Sequence, residues 1–280
     1  MSATVTGGHE PPRQTIVEES RRRVALLLEY DGSRYAGSQY QRNAPTVQAV
    51  LEDAIERATG CRLRAAFAGR TDAGVHALGQ VASFLTGSRL ALDALQRALN
   101  AWLPREVAVR AVAEVAPAFD VRRAARRRHY RYLIDNRRVR PALERGRVWH
   151  IPRPLDVASM AEAAAGVTGH RDFGAFASAP DRPGSTERTL YCFTVRRQDE
   201  RVTVDAVANA FLPHQVRRMV GALVDVGLGR RSVAEYEGLL FAAPAVAGPS
   251  APAHALYLVG VDYGRPLFGE NDSLVSELRV

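Results

Sequence analysis

The sequence predicts an α+β protein with two ferredoxin-like (βαββαβ, RRM-like) halves lying side by side around a central cleft. Apolar runs of strand length alternate along the chain with segments whose apolar residues recur at helical spacing. The order strand, helix, strand, strand, helix, strand occurs once before residue 116 and a second time after it. The sheet is therefore expected to be mainly antiparallel, and 280 residues suffice for two domains of ordinary size.

The first half is predicted to occupy residues 23–115, after a polar segment (residues 1–22) whose composition is typical of a disordered tail. Apolar residues spaced as on one helix face predict helices over Val47–Ala58 and Leu92–Leu103, and Thr46 is placed to cap the first of them. Strands are expected at Val24–Tyr30, Leu63–Ala68, Gln80–Leu85 and Val107–Val115.

The second half is predicted to occupy residues 116–264 and to repeat this order, with an uninformative tail over residues 265–280. The segment Gly169–Arg188 is rich in Asp, Pro, Gly and Ser, which is typical of a loop. Strands are expected at His129–Asp135, Thr189–Arg197, Val202–Ala208 and Ala255–Tyr263, and helices at Leu155–Val167, Pro213–Gly227 and Val233–Phe241.

The chain is strongly basic. Its formal net charge is +8, and all 38 of its Lys and Arg residues are arginine. A basic surface attracts phosphates, so nucleic acid is the partner class that the charge favours. Arginine also pairs with phosphate through two N–H groups and stacks on bases. A solvated basic face in a chain of biased composition is the alternative explanation.

Several classes of protein are disfavoured by what the sequence lacks. It has no run of eighteen apolar residues that could span a bilayer, and residues 1–13 do not resemble a signal peptide. Cys61 and Cys192 stand far apart, and neither they nor the scattered histidines match a metal-binding or disulfide pattern. We therefore expect a cytoplasmic protein with no metal site and no membrane partner.

The segment Phe67–Gly79 concentrates Arg, Asp, His and glycine between two apolar, strand-like runs. Loops of this composition are more often functional sites than simple connectors. Asp72 is the only acidic residue from Gly69 to Gly87, and the neighbouring Arg70 favours its charged form. Asp72 is therefore a candidate nucleophile or electrostatic stabiliser. A turn whose Asp merely caps its own backbone is the alternative.

Residues 122–132 hold six arginines, one histidine and two tyrosines. Looped or single-stranded RNA requires such a mixture, because cations hold phosphates while aromatic rings stack on exposed bases. This pattern makes Arg126, Arg127 and Arg128 candidates for phosphate contacts, and Tyr130 a candidate for a ring in the cleft. A solvated edge strand, protected from aggregation by its arginines, is the alternative.

The segment Phe211–Gly221 opens a predicted helix in which Arg217 lies beside the apolar face formed by Val216 and Val220. An arginine next to an apolar face is stable only when it meets a carboxylate, because an unpaired buried charge is very unfavourable. Asp72 is a candidate partner. An ordinary amphipathic helix with exposed arginines would show the same pattern.

Taken together, these segments resemble the tRNA pseudouridine synthase A family over nearly all of residues 24–263. The matching motifs are Tyr30-Asp31-Gly32, Ala68–His76, Tyr130-Arg131-Tyr132, His170–Phe173 and Phe211–Gly221. One position departs from the family pattern: Ser38 stands where the family usually has a tryptophan before Gln39. The packing or stacking of that ring is therefore missing here.

The resemblance implies an isomerase that converts uridine to pseudouridine at positions 38, 39 and 40 in the anticodon stem-loop of tRNA. It also implies that the protein is a homodimer and that it uses no cofactor or metal. By match to the family motifs, Asp72 is the catalytic nucleophile, Arg217 is its cationic partner and Tyr130 packs on the target base. The predicted RNA contacts are Tyr130, Arg70, His76, Arg126, Arg127 and Arg128.

Two other functions remain open from the residues alone. A non-catalytic RNA-binding protein with paired RRM-like halves would account for the charge and the fold, but not for the single acid beside Arg70. A glycosidase or nucleosidase acting on a free nucleoside would use two carboxylates, and no second one lies near Asp72 in the sequence. Dinucleotide-binding and P-loop motifs are also missing.

Overall fold

The computed structural model of the chain describes residues 21–178 and 184–269. The predicted tail over residues 1–20 and the end of the second predicted tail, residues 270–280, lie outside the described residues. Arg22 was assigned to the tail by sequence but belongs to the first strand. The first half contains, in chain order, β1 (Arg22–Tyr30), α1 (Val47–Thr59), β2 (Ala66–Phe67), β3 (His76–Thr86), α2 (Leu92–Trp102) and β4 (Val107–Val115).

The second half follows the same order of elements, with additions that the sequence did not predict. They include two short strands, and the last predicted helix changes directly after Gly238 into a 3₁₀ turn, Leu239–Phe241. In chain order the elements are β5 (Arg127–Asp135), β6 (Trp149–His150), α3 (Val157–Gly166), β7 (Gly169–Asp172), β8 (Glu187–Gln198), β9 (Arg201–Ala208), α4 (Gln215–Gly227), α5 (Val233–Gly238) and β10 (Leu256–Asp262).

All ten strands of the described chain form one sheet in the order β4-β1-β3-β10-β5-β9-β8-β7, with β2 paired to β3 and β6 to β5. Every pairing is antiparallel except β3 with β10 and β5 with β6. The predicted α+β class and mainly antiparallel sheet are confirmed. The two halves share one continuous sheet rather than two, and they join where His76 and Ala77 pair with Tyr257 and Leu258.

The helices pack as the periodicity of their apolar residues requires. α1 contacts α2, while α3 contacts both β8 and α4. The predicted N-cap of α1 is confirmed, because the Thr46 side chain accepts the Ala49 N–H at 3.3 Å. Asp156 caps α3 in the same way through the Ser159 N–H at 3.1 Å. Leu51, Ile55 and the other inward-facing residues of these helices are fully buried against the sheet.

The strand predicted over Leu63–Ala68 is much shorter in the structure. Only Ala66 and Phe67 pair with β3. The backbone of Ala65 bonds instead to α1, since its N–H donates to Glu52 Oε1 and its carbonyl accepts from Gln48 Nε2, both at 3.1 Å. These long-range side-chain bonds replace the ladder that the local apolar pattern predicted.

Two further differences arise from pairings that are not visible in local sequence. β3 begins at His76 rather than Gln80, because its first residues pair with β1 and β10. The predicted loop Gly169–Arg188 is wrong at both ends, because its first four residues form the edge strand β7 against β8 and its last two, Glu187 and Arg188, belong to β8. These residues, Gly-His-Arg-Asp, are mostly exposed and lack the alternating apolar pattern of a strand.

Candidate active site

Asp72 lies on the loop between β2 and β3, and Ser38 holds this loop in place. The Thr71 N–H donates to Ser38 Oγ at 2.9 Å, and the Ser38 N–H donates to the Thr71 carbonyl at 3.1 Å. Ser38 is fully buried. Gly37 makes this approach possible: it has φ 95°, and a Cβ there would lie 2.7 Å from the Thr71 carbonyl oxygen. Ser38 therefore clamps the residue next to Asp72.

Tyr30 and Gln80 support the same loop from the sheet below. Tyr30 Oη and Thr71 Oγ1 form a buried hydrogen bond of 2.8 Å. Gln80 Nε2 donates to the Gly69 carbonyl at 2.8 Å. Burial raises the pKa of Tyr30 to about 12, so its phenol is neutral at physiological pH. The residues on either side of Arg70 are thus fixed by side chains from β1 and β3.

Arg217, in the first turn of α4, pairs with Asp72 across the junction of the two halves. Its Nη1 donates to Asp72 Oδ2 at 3.1 Å, and its Nε donates to the Ala251 carbonyl at 2.8 Å. The Ala251 N–H returns a bond to the Arg217 carbonyl at 3.0 Å. Arg217 is largely buried and Asp72 is 30% exposed, so the pair is anchored on one side and open to the cleft on the other.

The close packing that fixes Arg217 depends on Gly221, one turn further along α4. A Cβ at Gly221 would lie 2.5 Å from the Pro249 carbonyl oxygen. Only glycine allows the segment 249–251 to approach the helix this closely.

The imidazole of His214, just before α4, also lies near Asp72, with Nε2 3.7 Å from Oδ2.

Tyr130 of β5 forms a wall of the same cleft. Its ring meets Phe211 edge to face, with the centroids 5.2 Å apart, and its hydroxyl donates to the Arg70 carbonyl at 3.4 Å. Burial, together with the nearby Tyr30 and Asp72, raises the pKa of Tyr130 well above its usual range. The phenol is therefore neutral and offers an aromatic face and a donor, not a phenolate.

These residues line a cleft with a volume of about 630 Å³. Among the described residues that line it, Asp72 is the only acid, and the bases are Arg70, Arg122, Arg128, Arg188, His214 and Arg217. Such an excess of positive charge around one carboxylate suits a polyanionic ligand that reacts at a single point.

The predicted phosphate contacts Arg126 and Arg127 do not line this cleft. Arg126 is exposed, and its guanidinium lies so close to Gly264 that a Cβ on that glycine would meet it. Arg127 alternates with Arg128 along β5 and points to the opposite face of the sheet from Tyr130. There its guanidinium lies over the Tyr191 ring, 4.7 Å from the centroid. The structure thus separates three neighbouring arginines that the sequence grouped together.

Arg128 lines the cleft, but its guanidinium is occupied by the protein itself. Its Nη1 donates to the carbonyls of Ala125 and Asn209, and its Nη2 donates to those of Ala68 and Arg122, at 2.6 to 3.1 Å. All four Nη hydrogens are used, and burial lowers the pKa of Arg128. Arg128 therefore ties three loops together instead of presenting its Nη groups to phosphate.

His76 is buried, with 1% of its surface exposed. Its Nδ1 accepts the Gly32 N–H at 3.1 Å, its Nε2 lies 3.0 Å from the His254 carbonyl, and its ring stacks on Tyr257. Burial lowers its pKa. His76 thus braces the junction of the two halves, and the RNA contact predicted for it stays a prediction. Arg70 is exposed at the cleft.

Sequence reasoning missed several residues of the cleft. Three of them were missed because their contacts are with distant parts of the chain. Ser38 contacts Thr71, Phe211 contacts Tyr130 and His214 lies near Asp72. Arg188 lies in the segment that the sequence predicts as a loop, and nothing around it in the sequence marks this arginine as part of a site. Arg122 lies in the arginine-rich segment but before β5 begins. The alternation of side chains along that strand therefore could not predict that Arg122 lines the cleft.

Two features are absent from residues 21–178 and 184–269. No group of three or more His, Cys, Asp or Glu side chains lies close enough to hold a metal ion. In the same ranges, no helix has the length and apolar character needed to cross a membrane.

The sheet and its basic cleft, with one carboxylate held by a guanidinium and faced by an aromatic ring, define an enzyme that acts on nucleic acid. Comparison with known families identifies which one. The sequence pattern of a family described as tRNA pseudouridine synthase matches residues 27–122 and 163–264. The chain belongs to this family.

Individual relatives agree with the family match over almost their full length. The tRNA pseudouridine synthase A of Afipia carboxidovorans is 46% identical over 243 residues, covering 86% of this chain and 99% of the relative. The protein of the same name from Roseiflexus castenholzii is 43% identical over 264 residues, covering 92% and 97%. That of Methylobacterium nodulans is 46% identical, covering 86% and 96%.

Proposed function

We propose that this protein isomerises uridine to pseudouridine in tRNA, at positions 38, 39 and 40 of the anticodon stem-loop. One observation carries the proposal: Asp72, paired with Arg217 at 3.1 Å, faces a basic cleft that Tyr130 also lines. Membership of the tRNA pseudouridine synthase family supports the reaction, and the family resemblance of the sequence motifs supports the three positions.

The reaction moves one glycosidic bond. The bond from ribose C1′ to N1 of uracil breaks, the base turns, and a bond from C1′ to C5 forms, while C5 loses a proton and N1 gains one. The target base is inaccessible inside a stacked loop, so the nucleotide has to be flipped into a pocket. The cleft of about 630 Å³ has room for a nucleotide.

Asp72 is the proposed catalytic residue, because breakage of the glycosidic bond places positive charge on the ribose. A carboxylate stabilises this charge, either by bonding to C1′ or by removing a proton from C2′. Arg217 donates a charge-assisted hydrogen bond to the carboxylate and fixes its direction. The clamp formed by Ser38 keeps the loop that carries Asp72 from moving as RNA enters.

Tyr130 is the proposed platform for the base. Its buried ring, fixed by Phe211, offers a π-face on which uracil stacks while it is detached and turned. The raised pKa of the phenol favours this role over removal of the C5 proton by a phenolate. Arg70, Arg122 and Arg188 line the cleft and are the proposed phosphate contacts.

Further parts of the proposal concern assembly and location. The strand orders β4-β1-β3-β2 and β10-β5-β9-β8 support two ferredoxin-like halves, residues 23–115 and 116–264. From the family resemblance alone, we propose that the protein works as a homodimer in the cytoplasm.

Replacement of the carboxylate tests the proposal. In Asp72→Asn, pseudouridine formation should be abolished while tRNA affinity changes by less than about twofold, because phosphate contacts supply most of the affinity. Tritium release from tRNA labelled at uridine C5 measures turnover, and filter binding measures affinity. The control is Asp53→Asn, which alters an exposed carboxylate on α1.

The outcome also separates the rival functions. Near-normal turnover in Asp72→Asn would refute the assignment of the catalytic residue. Tight tRNA binding without tritium release by the unaltered protein would favour a non-catalytic RNA-binding protein. Free uracil among the products would favour a glycosidase or nucleosidase. Mapping of modified uridines on the treated transcript tests positions 38, 39 and 40.

A further inference from the structure

His214 has an unusual backbone for a residue that is not glycine. It lies directly before α4 with φ 61° and ψ 2°, in the left-handed region. This conformation is unfavourable for a side chain with a Cβ and persists only where the surroundings enforce it. Three described non-glycine residues have a positive φ, namely Asp199, His214 and Ala245. Of these three, His214 is the one that lines the cleft.

The neighbours of His214 hold this conformation from both sides. The Gln215 N–H donates to the Leu212 carbonyl at 3.1 Å, and Gln215 Oε1 accepts the Leu212 N–H at 2.8 Å. The Pro213 carbonyl accepts the Ser178 N–H at 3.2 Å. The turn is therefore locked in a strained geometry that directs the imidazole toward the cleft.

The imidazole meets the proposed catalytic carboxylate at an oxygen that is already engaged. His214 Nε2 lies 3.7 Å from Asp72 Oδ2, and Arg217 Nη1 donates to the same Oδ2 at 3.1 Å. His214 immediately precedes α4 and Arg217 lies in its first turn, so one end of this helix brings both side chains to the same carboxylate. Within the described residues, Asp72 Oδ1 has no hydrogen-bond partner.

We propose that His214 is a positioning residue that, together with Arg217, holds Asp72 Oδ2 and leaves Oδ1 as the oxygen that meets the ribose. The inference rests on the proposed function of Asp72. A single guanidinium bond lets a carboxylate rotate about its Cβ–Cγ bond, which would exchange the two oxygens. The His214 imidazole beside the same oxygen opposes this rotation and keeps the other oxygen aimed into the cleft.

The strained backbone allows an unusually sharp test. In His214→Gly and His214→Asn the imidazole is lost, while both new residues accept a left-handed backbone. We expect the melting temperature to stay the same or rise. We expect the single-turnover rate of pseudouridine formation to fall about tenfold, which corresponds to about 1.4 kcal/mol, with the dissociation constant for tRNA changed less than twofold.

The matched control is Asp199→Gly, which relieves a positive φ of 52° in the turn between β8 and β9. Asp199→Gly should raise the melting temperature as much as the His214 variants do, without changing the single-turnover rate of pseudouridine formation. A rate within twofold of the unaltered protein in both His214 variants overturns the inference. So does weaker tRNA binding with an unchanged single-turnover rate, since His214 would then contact RNA instead of orienting Asp72. Asp72→Asn, measured in parallel, reports on the proposed function separately: if it stays active, the role of Asp72 itself fails.

Discussion

Ser38 and Ser83 are both buried serines, yet their hydroxyl groups have opposite surroundings. Ser38 Oγ accepts the Thr71 N–H at 2.9 Å, next to Asp72. Ser83 Oγ in β3 has no hydrogen-bond partner among the described residues. A buried donor that loses its acceptor is costly, whereas removal of an unsatisfied hydroxyl is not. The same substitution should therefore have different effects at the two positions.

Ser38→Ala should lower the free energy of unfolding by about 1 to 3 kcal/mol, because it leaves the Thr71 N–H unsatisfied. The rate of pseudouridine formation should fall about tenfold or more as the loop carrying Asp72 shifts. Ser83→Ala should leave both quantities unchanged or slightly improve stability. Chemical denaturation and single-turnover assays measure the two effects. Equal stability losses in both variants would contradict the clamp described for Ser38.

Single residues were candidates where the local chemistry singled them out. Asp72 was named as a candidate because no other acid lies near it, and Arg217 as its candidate partner because a cation beside an apolar face needs a carboxylate. Ser38 and His214 were not, since their roles depend on contacts with residues more than 30 and more than 140 positions away. The burial of His76 was not predictable either, because a polar residue in a glycine-rich motif gives no sign of its burial.

At the scale of elements, β5 shows how one strand serves two faces. Arg128 and Tyr130 point to the cleft, while Arg127, His129 and Arg131 point away from it. On the far face His129 and Arg131 both contact Asp205, at 2.6 and 2.8 Å. Of the described contacts of Arg127 and Arg128, one reaches the loop that carries Asp72, namely the bond from Arg128 to the Ala68 carbonyl. Two adjacent arginines therefore differ in what they stabilise.

Arg128→Met should lower the free energy of unfolding by about 3 kcal/mol, because four carbonyl groups lose their donor. Arg127→Met removes a partly exposed interaction with Tyr191 and Asp262 and should cost less than about 1 kcal/mol. Urea unfolding monitored by circular dichroism compares the two. A larger loss in Arg127→Met would be inconsistent with the structural role assigned to Arg128.

Elements with a strong local pattern were predicted well, and those set by distant partners were not. β4 has the predicted bounds, and α1 begins where Thr46 indicated. The predicted strand at Leu63–Ala65 is absent because Gln48 and Glu52 of α1 bind the Ala65 backbone. β7 was missed because its polar, exposed residues carry no alternation. Alternation also could not reveal which face of β5 would meet the cleft.

For the whole molecule, the net charge of +8 matters less than where the charges lie. Arg122 and Arg188 line the cleft, whereas Arg57 and Arg97 lie on the outer helices α1 and α2. Composition predicted a nucleic-acid partner, but the sequence could not distinguish cleft arginines from the rest. That distinction depends on how the two halves meet at β3 and β10.

Replacement of Arg122 and Arg188 by glutamine should weaken tRNA binding and reduce the slope of log K against log salt by about 0.7 to 0.9 for each phosphate that is no longer neutralised. The same double change at Arg57 and Arg97 removes equal charge outside the cleft and should leave the slope nearly unchanged. Filter binding over a series of salt concentrations measures both. Identical slopes for the two double variants would refute the placement of the RNA backbone in the cleft.

The position of β10 has a consequence for the protein during its synthesis. β10 comes last among the described strands but lies in the middle of the sheet, between β3 and β5. Asp72 is made early, and Arg217 and the Ala251 segment that anchors it are made late. A nascent chain that still lacks these segments therefore carries Asp72 without its guanidinium partner and lacks the strand that joins the two halves of the sheet.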